Sequence, residues 1–384
     1  MTIYGADWTR TGSSPVLTRL GASSGWAAGS HGQTLFNSIS PWSSMRRCNL
    51  WDDGTPTAYY GDRCYTDTDV INMGQCMVDI PKFYYYVDRQ TADHTQFFIS
   101  DNPADTVPVT GAPTVKLHPM FYNRDGAGCI RDHIYVGAYN GYYNATTAKL
   151  ESKSGVAPTG TQTLATFRGY AEARNPSGSN KWELMDFLTM SGLQLLYTVE
   201  YANFDSQGII GYGHSNEGAI INTGDTVANG SATVGTVGTN SPLSYRGIEN
   251  FYGNQNKLID GVNLKADYKV WVADHDFATN YLAFGHPYVD SNITTATGTD
   301  NTYSKDIAVP SSGGVDYTFI SASTTGGSSA TYLCDVWLAT TGTRIMYHGG
   351  NRASAGQGGV YYTSIAADSA LTSANIGGRL MYMG

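Results

Sequence analysis

The chain has 384 residues, with 23 Lys plus Arg against 32 Asp plus Glu and a net charge of -9. Only 14% of residues are charged, against about 25% in an ordinary soluble domain. The acidic balance, with a pI near 5.3, and the lack of basic runs argue against nucleic acid or an anionic membrane as partner. No apolar stretch reaches the roughly 20 residues that cross a bilayer. The start, Met1 to Trp8, has neither the basic nor the apolar region of a secretory signal and no lipidation cysteine, so no membrane insertion is expected.

In chain order, residues 1–72 read as a small β-rich N-terminal module. Ile3–Trp8 and Pro15–Leu20 form short strands there, and Trp42, Trp51, Tyr59 and Tyr60 form its core. Met77–Val87 is dense in β-branched and aromatic residues and reads as one strand, with Pro81 at an edge or bulge. His118–Phe121 and His133–Tyr139 read as two more. One helix is expected within Asn180–Asn203, where Trp182, Met185, Leu188, Leu195, Leu196 and Val199 recur at helical spacing. Ser179 or Asn180 would cap it, and Gly192 would kink or divide it. Residues 205–242 read as extended loop, and 264–335 as short strands such as Lys269–Ala273 between Thr, Gly and Ser stretches. The closing strand is Ile376–Tyr382.

Catalytic patterns are weak. Gly21-Ala-Ser-Ser-Gly25 matches G-x-S-x-G without the helix that a nucleophile elbow needs. Asp274-His275-Asp276 reads as a polar loop, since neighbouring residues in a strand point to opposite faces. The eight histidines are scattered. Cys48, Cys64, Cys76, Cys129 and Cys334 include no C-x-x-C pair, so free thiols are expected, with a disulfide among the first three left open. The abundance of Gly, Ser, Asn and Tyr is instead the composition of adaptable binding surfaces.

The C-terminal end carries the functional signal. Arg344–His348 is followed by Gly349-Gly350, then the loop Asn351–Gly359, then Val360-Tyr361-Tyr362, and finally Ile376-Gly377-Gly378-Arg379-Leu380. Glycines hold backbone positions that other residues cannot, so their neighbours can be exchanged without disturbing the frame. This segment resembles the variable region of retroelement-diversified proteins with a C-type-lectin fold, found in phage tail fibres and some bacterial surface proteins. Gly247–Gly261 is similar to a segment of the formylglycine-generating-enzyme type of that fold. Trp182 followed by Tyr201–Gln207 is similar to phage members.

The resemblance implies an α+β fold for 73–384: a C-type-lectin-like domain of short antiparallel strands, one or two helices and long loops. It includes an inserted region at about 264–335 and a variable region at about 336–384. It implies a receptor-binding protein of a phage or virus, on the tail fibre or tail tip and made in the host cytoplasm. Its ligand would be a host cell-surface protein or glycan, and the protein would be a homotrimer. Trp337, Leu338, Arg352, Ala353, Ser354, Gln357, Tyr361, Thr363, Ser364, Ala366 and Ala367 would face solvent as one ligand-binding patch. Trp337, Arg352 and Tyr361 would be its anchors; the alternative for Trp337 and Tyr361 is a place in the core. Gly349, Gly350, Gly359, Ile376, Gly377 and Arg379 would be scaffold. No catalytic residue, metal or cofactor is implied. The related oxidases use a pair of C-terminal cysteines where this chain has only Cys334, and the Glu-Pro-Asn and Trp-Asn-Asp motifs of calcium-dependent lectins are missing. The competing readings are a structural tail or baseplate component without a variable site and, last, an oxidase of the formylglycine-generating type.

Overall fold

The chain changes sheets at Pro81. In this computed structural model, which describes residues 2–89, 91–277, 284–299, 301–310 and 315–384, the stretch read as one strand is two, Gln75–Pro81 and Tyr84–Asp88. A proline nitrogen cannot donate to a ladder, so pairing stops there. The next amide, of Lys82, turns to the Asp132 carbonyl at 2.8 Å.

The first strand belongs to a six-stranded sheet in the order Trp182–Leu184, Leu380–Tyr382, His133–Gly137, Gln75–Pro81, Arg46–Leu50, Pro56–Tyr59. The second belongs to a five-stranded sheet in the order Thr18–Gly21, Tyr4–Thr9, His94–Ser100, Tyr84–Asp88, Lys116–Leu117. A seven-stranded sheet runs Val289–Thr294, Lys269–Val272, Asn256–Leu264, Arg344–His348, Thr363–Ala367, Trp337–Ala339. Its seventh strand, Ile376–Gly377, lies parallel to Asn256–Leu264.

These pairings correct the expected boundary at residue 72. Tyr4–Thr9 pairs with His94–Ser100, and Arg46–Leu50 with Gln75–Pro81. The first 72 residues therefore have no sheet of their own, and one core cluster runs from Tyr4 to Met383. Long-range pairing of this kind leaves no composition break in the sequence. In 264–335, Lys269–Val272 and Val289–Thr294 extend the seven-stranded sheet, while 278–283, 300 and 311–314 lie outside the described residues.

The long helix is Phe187–Tyr201, and all fifteen of its residues are buried. A helix without a polar face must be wrapped on every side; this one contacts Tyr4–Thr9, His94–Ser100 and Asn256–Leu264, from two of the sheets. It begins later than expected. Trp182 lies on a strand, and the cap is Asp186, whose carboxylate accepts the Thr189 amide at 2.9 Å and pairs with buried Arg124. Gly192 does not divide it. A Cβ there would sit 2.4 Å from Met120 Sδ, so the glycine admits a close neighbour. Two other expectations change. Pro119–Phe121 is a 3-10 turn, with His118 Nδ1 accepting the Met120 amide, and the 205–242 loop contains a short helix, Ser206–Ile210.

The architecture is β-rich with few helices. Among the described residues no helix is long and apolar enough to cross a membrane, and all five cysteines are free thiols.

Candidate binding surface

The strand Arg344–His348 delivers the chain to Gly349 and Gly350, at φ +93° and +76°, a conformation that L side chains rarely adopt. A Cβ on Gly350 would come within 2.9 Å of Gly358 Cα. The two glycines thus close the neck of a loop whose tip is Asn351–Gln357. Main-chain atoms tether the tip to two neighbouring segments. The Arg352 amide donates to the Asn254 carbonyl at 2.9 Å, the Glu217 amide to the Arg352 carbonyl at 2.6 Å, and the Ala355 amide to the Ser215 carbonyl at 2.7 Å. Inside the loop, Ser354 Oγ accepts the Asn351 amide and Asn351 Oδ1 the Ala353 amide.

Arg352 reaches across this loop. Its Nε donates to Asn375 Oδ1 at 3.0 Å, and Nη1 to the carbonyls of Glu217 and Gly218 at 3.1 and 3.0 Å. Three of five N–H groups are thereby used, and Nη2 carries the other two. Gln357 donates to Asn301 Oδ1. Ala353 is exposed; Arg352, Gln357, Leu338, Ala366 and Ala367 are half-buried.

The remaining patch residues turn inward, which corrects the expectation that all eleven face solvent. Trp337 and Tyr361 are each 1% exposed, Thr363 2%, Ser364 0% and Ser354 7%. Strand period explains the first of these. Trp337–Ala339 pairs in parallel with Thr363–Ala367, and alternation sends Trp337 and Ala339 in and Leu338 out. Trp337 and Thr363 meet Phe187, Met190 and Gln194 of the long helix, and the Trp337 indole donates to the Ala296 carbonyl at 3.1 Å. Tyr361 stands edge-on to Phe204 at 5.1 Å, with its hydroxyl 2.7 Å from Thr198 Oγ1. Ser354 is consumed by the loop it braces.

The frame beneath is buried and polar. Arg379 is 1% exposed and donates to the carbonyls of Gly137, Glu249 and Asn250 and to Asn140 Oδ1. Burial pulls its guanidinium down to about 9, partly offset by Glu249. Asp335 accepts the Tyr361 amide at 2.7 Å, yet desolvation still pushes its carboxyl well above the usual range. Gly359 lies against it, since a Cβ there would be 2.2 Å from Asp335 Oδ1. Ile376 pairs with Asn256, and Gly377 packs on Gln255.

The outward groups are amide, guanidinium and methyl. Such groups recognise shape and hydrogen bonds; they do not move protons. Burial pushes the Cys334 thiol up, away from the reactive thiolate. Ser23 of the G-x-S-x-G match is buried and donates to the Leu20 carbonyl. His275 Nδ1 lies 2.5 Å from Asp274 Oδ1, which belongs to a carboxylate also held by Asn123. Among the described residues no group of three His, Cys, Asp or Glu is placed to hold a metal ion. The sequence reading missed Ser215, Glu217, Gly218 and Asn301, which come from distant loops, and Asn375, 23 residues from Arg352. Their only local signal is a Gly- and Asn-rich composition.

No family model matches the chain, and no curated protein matches it. A solved structure named "Major Tropism Determinant U1 Variant" aligns with 88% of this chain and 71% of its own, at 12% identity and a TM-score of 0.33.

Proposed function

We propose that this chain is a non-enzymatic attachment protein of a phage or virus, carried on the tail fibre or tail tip. It binds a host cell-surface protein or glycan through the loop Asn351–Gln357. One observation supports this reading: the loop is closed by Gly350 against Gly358 and tethered through main-chain atoms of Asn254, Ser215 and Glu217. Side chains at 353 and 357 can therefore change without loosening the frame. That is the mechanical requirement of a diversified binding loop, and the C-type-lectin-type resemblance of the 349–380 segment is the second support. The binding set is Arg352, Ala353 and Gln357, with Leu338, Ala366 and Ala367 as strand positions still open to a ligand. We further propose a homotrimer, in which weak contacts gain avidity on a repeated ligand. Light scattering that gives a monomer mass at micromolar concentration would overturn that assembly.

The test is Gln357→Ala combined with Ala353→Tyr, followed by host adsorption and thermal melting. Adsorption should fall while the melting temperature barely moves, because substitutions at surface positions outside the core shift stability within about 0.5 kcal/mol. Unchanged adsorption here and in Arg352→Ala would favour a structural particle component without a variable site.

A further inference from the structure

A second recessed site lies far from this loop in sequence. The turn between Arg46–Leu50 and Pro56–Tyr59 is pinned from several sides. The Trp51 amide donates to the Thr55 carbonyl, the Trp182 indole to the Asp52 carbonyl at 2.8 Å, and the Tyr382 hydroxyl to the Asp53 carbonyl. From this fixed turn Trp51 stands 37% exposed, whereas the other six tryptophans are buried or half-buried. Beside it opens a cavity of about 160 Å³, lined also by Asp52, Ile71, Lys149, Glu151 and Arg174.

The charges of this lining cancel. Asp52 binds Arg174 Nη2 through one oxygen at 2.6 Å and Lys149 through the other at 2.8 Å, and Glu151 balances the second cation. A neutral lining rewards neither an anion nor a cation. Two buried groups nonetheless remain unsatisfied. Glu151 is 1% exposed and Arg174 6%, yet Glu151 Oε2 and Arg174 Nε have no hydrogen-bond partner; Lys153 Nζ comes no closer than 3.9 Å to Glu151. Polar atoms buried without partners are costly. A carboxylate oxygen requires a donor and a guanidinium N–H an acceptor, and a hydroxyl is both. The exposed indole and Ile71 add an apolar flank for the carbon face of a ring.

We propose that this cavity binds one uncharged, hydroxyl-rich ring, a neutral sugar residue of a glycan. Trp51 would stack on the ring, with Glu151 and Arg174 bonding its hydroxyls. The proposal is independent of the loop 351–357.

The probe is a series of neutral methyl hexosides, titrated into the full-length protein by saturation-transfer NMR, with glucuronate and glucosamine as charged controls. At least one neutral hexoside should bind saturably, at about millimolar strength, and Trp51→Ala should weaken it about tenfold with unchanged melting. Trp51→Phe should retain most of the signal and keeps the test valid if the alanine variant unfolds. Ala353→Tyr with Gln357→Ala should leave sugar binding untouched, so failure at one site does not decide the other. Three results would overturn the proposal: no saturable binding of any neutral hexoside, binding indifferent to Trp51→Ala, or tighter binding of a charged sugar than of its neutral counterpart.

Discussion

Two adjacent stretches near the C-terminus are built on opposite plans. In Asn351–Gln357 main-chain bonds to Asn254, Ser215 and Glu217 tether the loop, and side chains such as Ala353 and Gln357 carry little of the fold. In Val360–Ile365 every residue is buried, and side chains carry the packing, with Tyr361 against Phe204 and the Thr198 hydroxyl. Tolerance to substitution depends on which atoms do the holding. A loop fixed by main-chain hydrogen bonds can change its side chains; a strand fixed by its side chains cannot.

The largest break of this contrast should come from Tyr361→Ala or Trp337→Ala. Truncating a fully buried aromatic costs about 3–5 kcal/mol, read as a fall in the urea midpoint. Either variant unfolding at the wild-type midpoint would mean that these rings do not pack the fold.

Next comes the neck. Gly350→Ala places a side chain at φ +76° and against Gly358, for about 1–3 kcal/mol. Adsorption should fall with it, because the loop loses its closed end. If melting is unchanged, the neck is not the hinge of the frame.

The buried polar layer sharpens the comparison through pH. His118 and His348 are wholly buried, and desolvation lowers both to about 3; Lys257 and Arg379 press the same way on His348, while the Tyr362 backbone opposes them. The unfolded state, with histidine near 6.5, binds more protons than the folded one between about pH 6.5 and 3. Stability contributed by each neutral histidine is therefore full above that window and is lost as pH falls through it, at up to about 1.4 kcal/mol per pH unit. Buried carboxyls raised by desolvation, among them Asp335 and Glu183, respond with the opposite sign. The useful measurement is thus the difference between wild type and His348→Phe in urea midpoint from pH 6.5 to 4. The variant should lose less stability on acidification; parallel curves would show that His348 does not titrate in this way.

The smallest effect belongs to the tip. Gln357→Ala alone should change the unfolding free energy by less than about 0.5 kcal/mol, measured in the same urea titration. A larger loss would mean that its bond to Asn301 is part of the scaffold and would move the loop onto the plan of its neighbour.

What could be read from the sequence was local. Glycine can take the positive φ that other residues rarely adopt, so Gly349-Gly350 and the polar tract after them announce a framed loop. The apolar spacing after Trp182 announces a helix, although its first turn was misplaced because Trp182 and Met185 have suitable spacing while pairing and burial draw them to the sheet. Alternation along Trp337–Ala339 says that two faces exist. It does not say which face is covered, and the long helix decides that by lying against Trp337 and Thr363. Tertiary structure alone also decided that Tyr4–Thr9 pairs with a strand some ninety residues away, and that Trp51, Ile71, Lys149, Glu151 and Arg174 line one cavity. Each of these is a contact between segments with no shared sequence period, and periodicity within a segment carries no information about its partner.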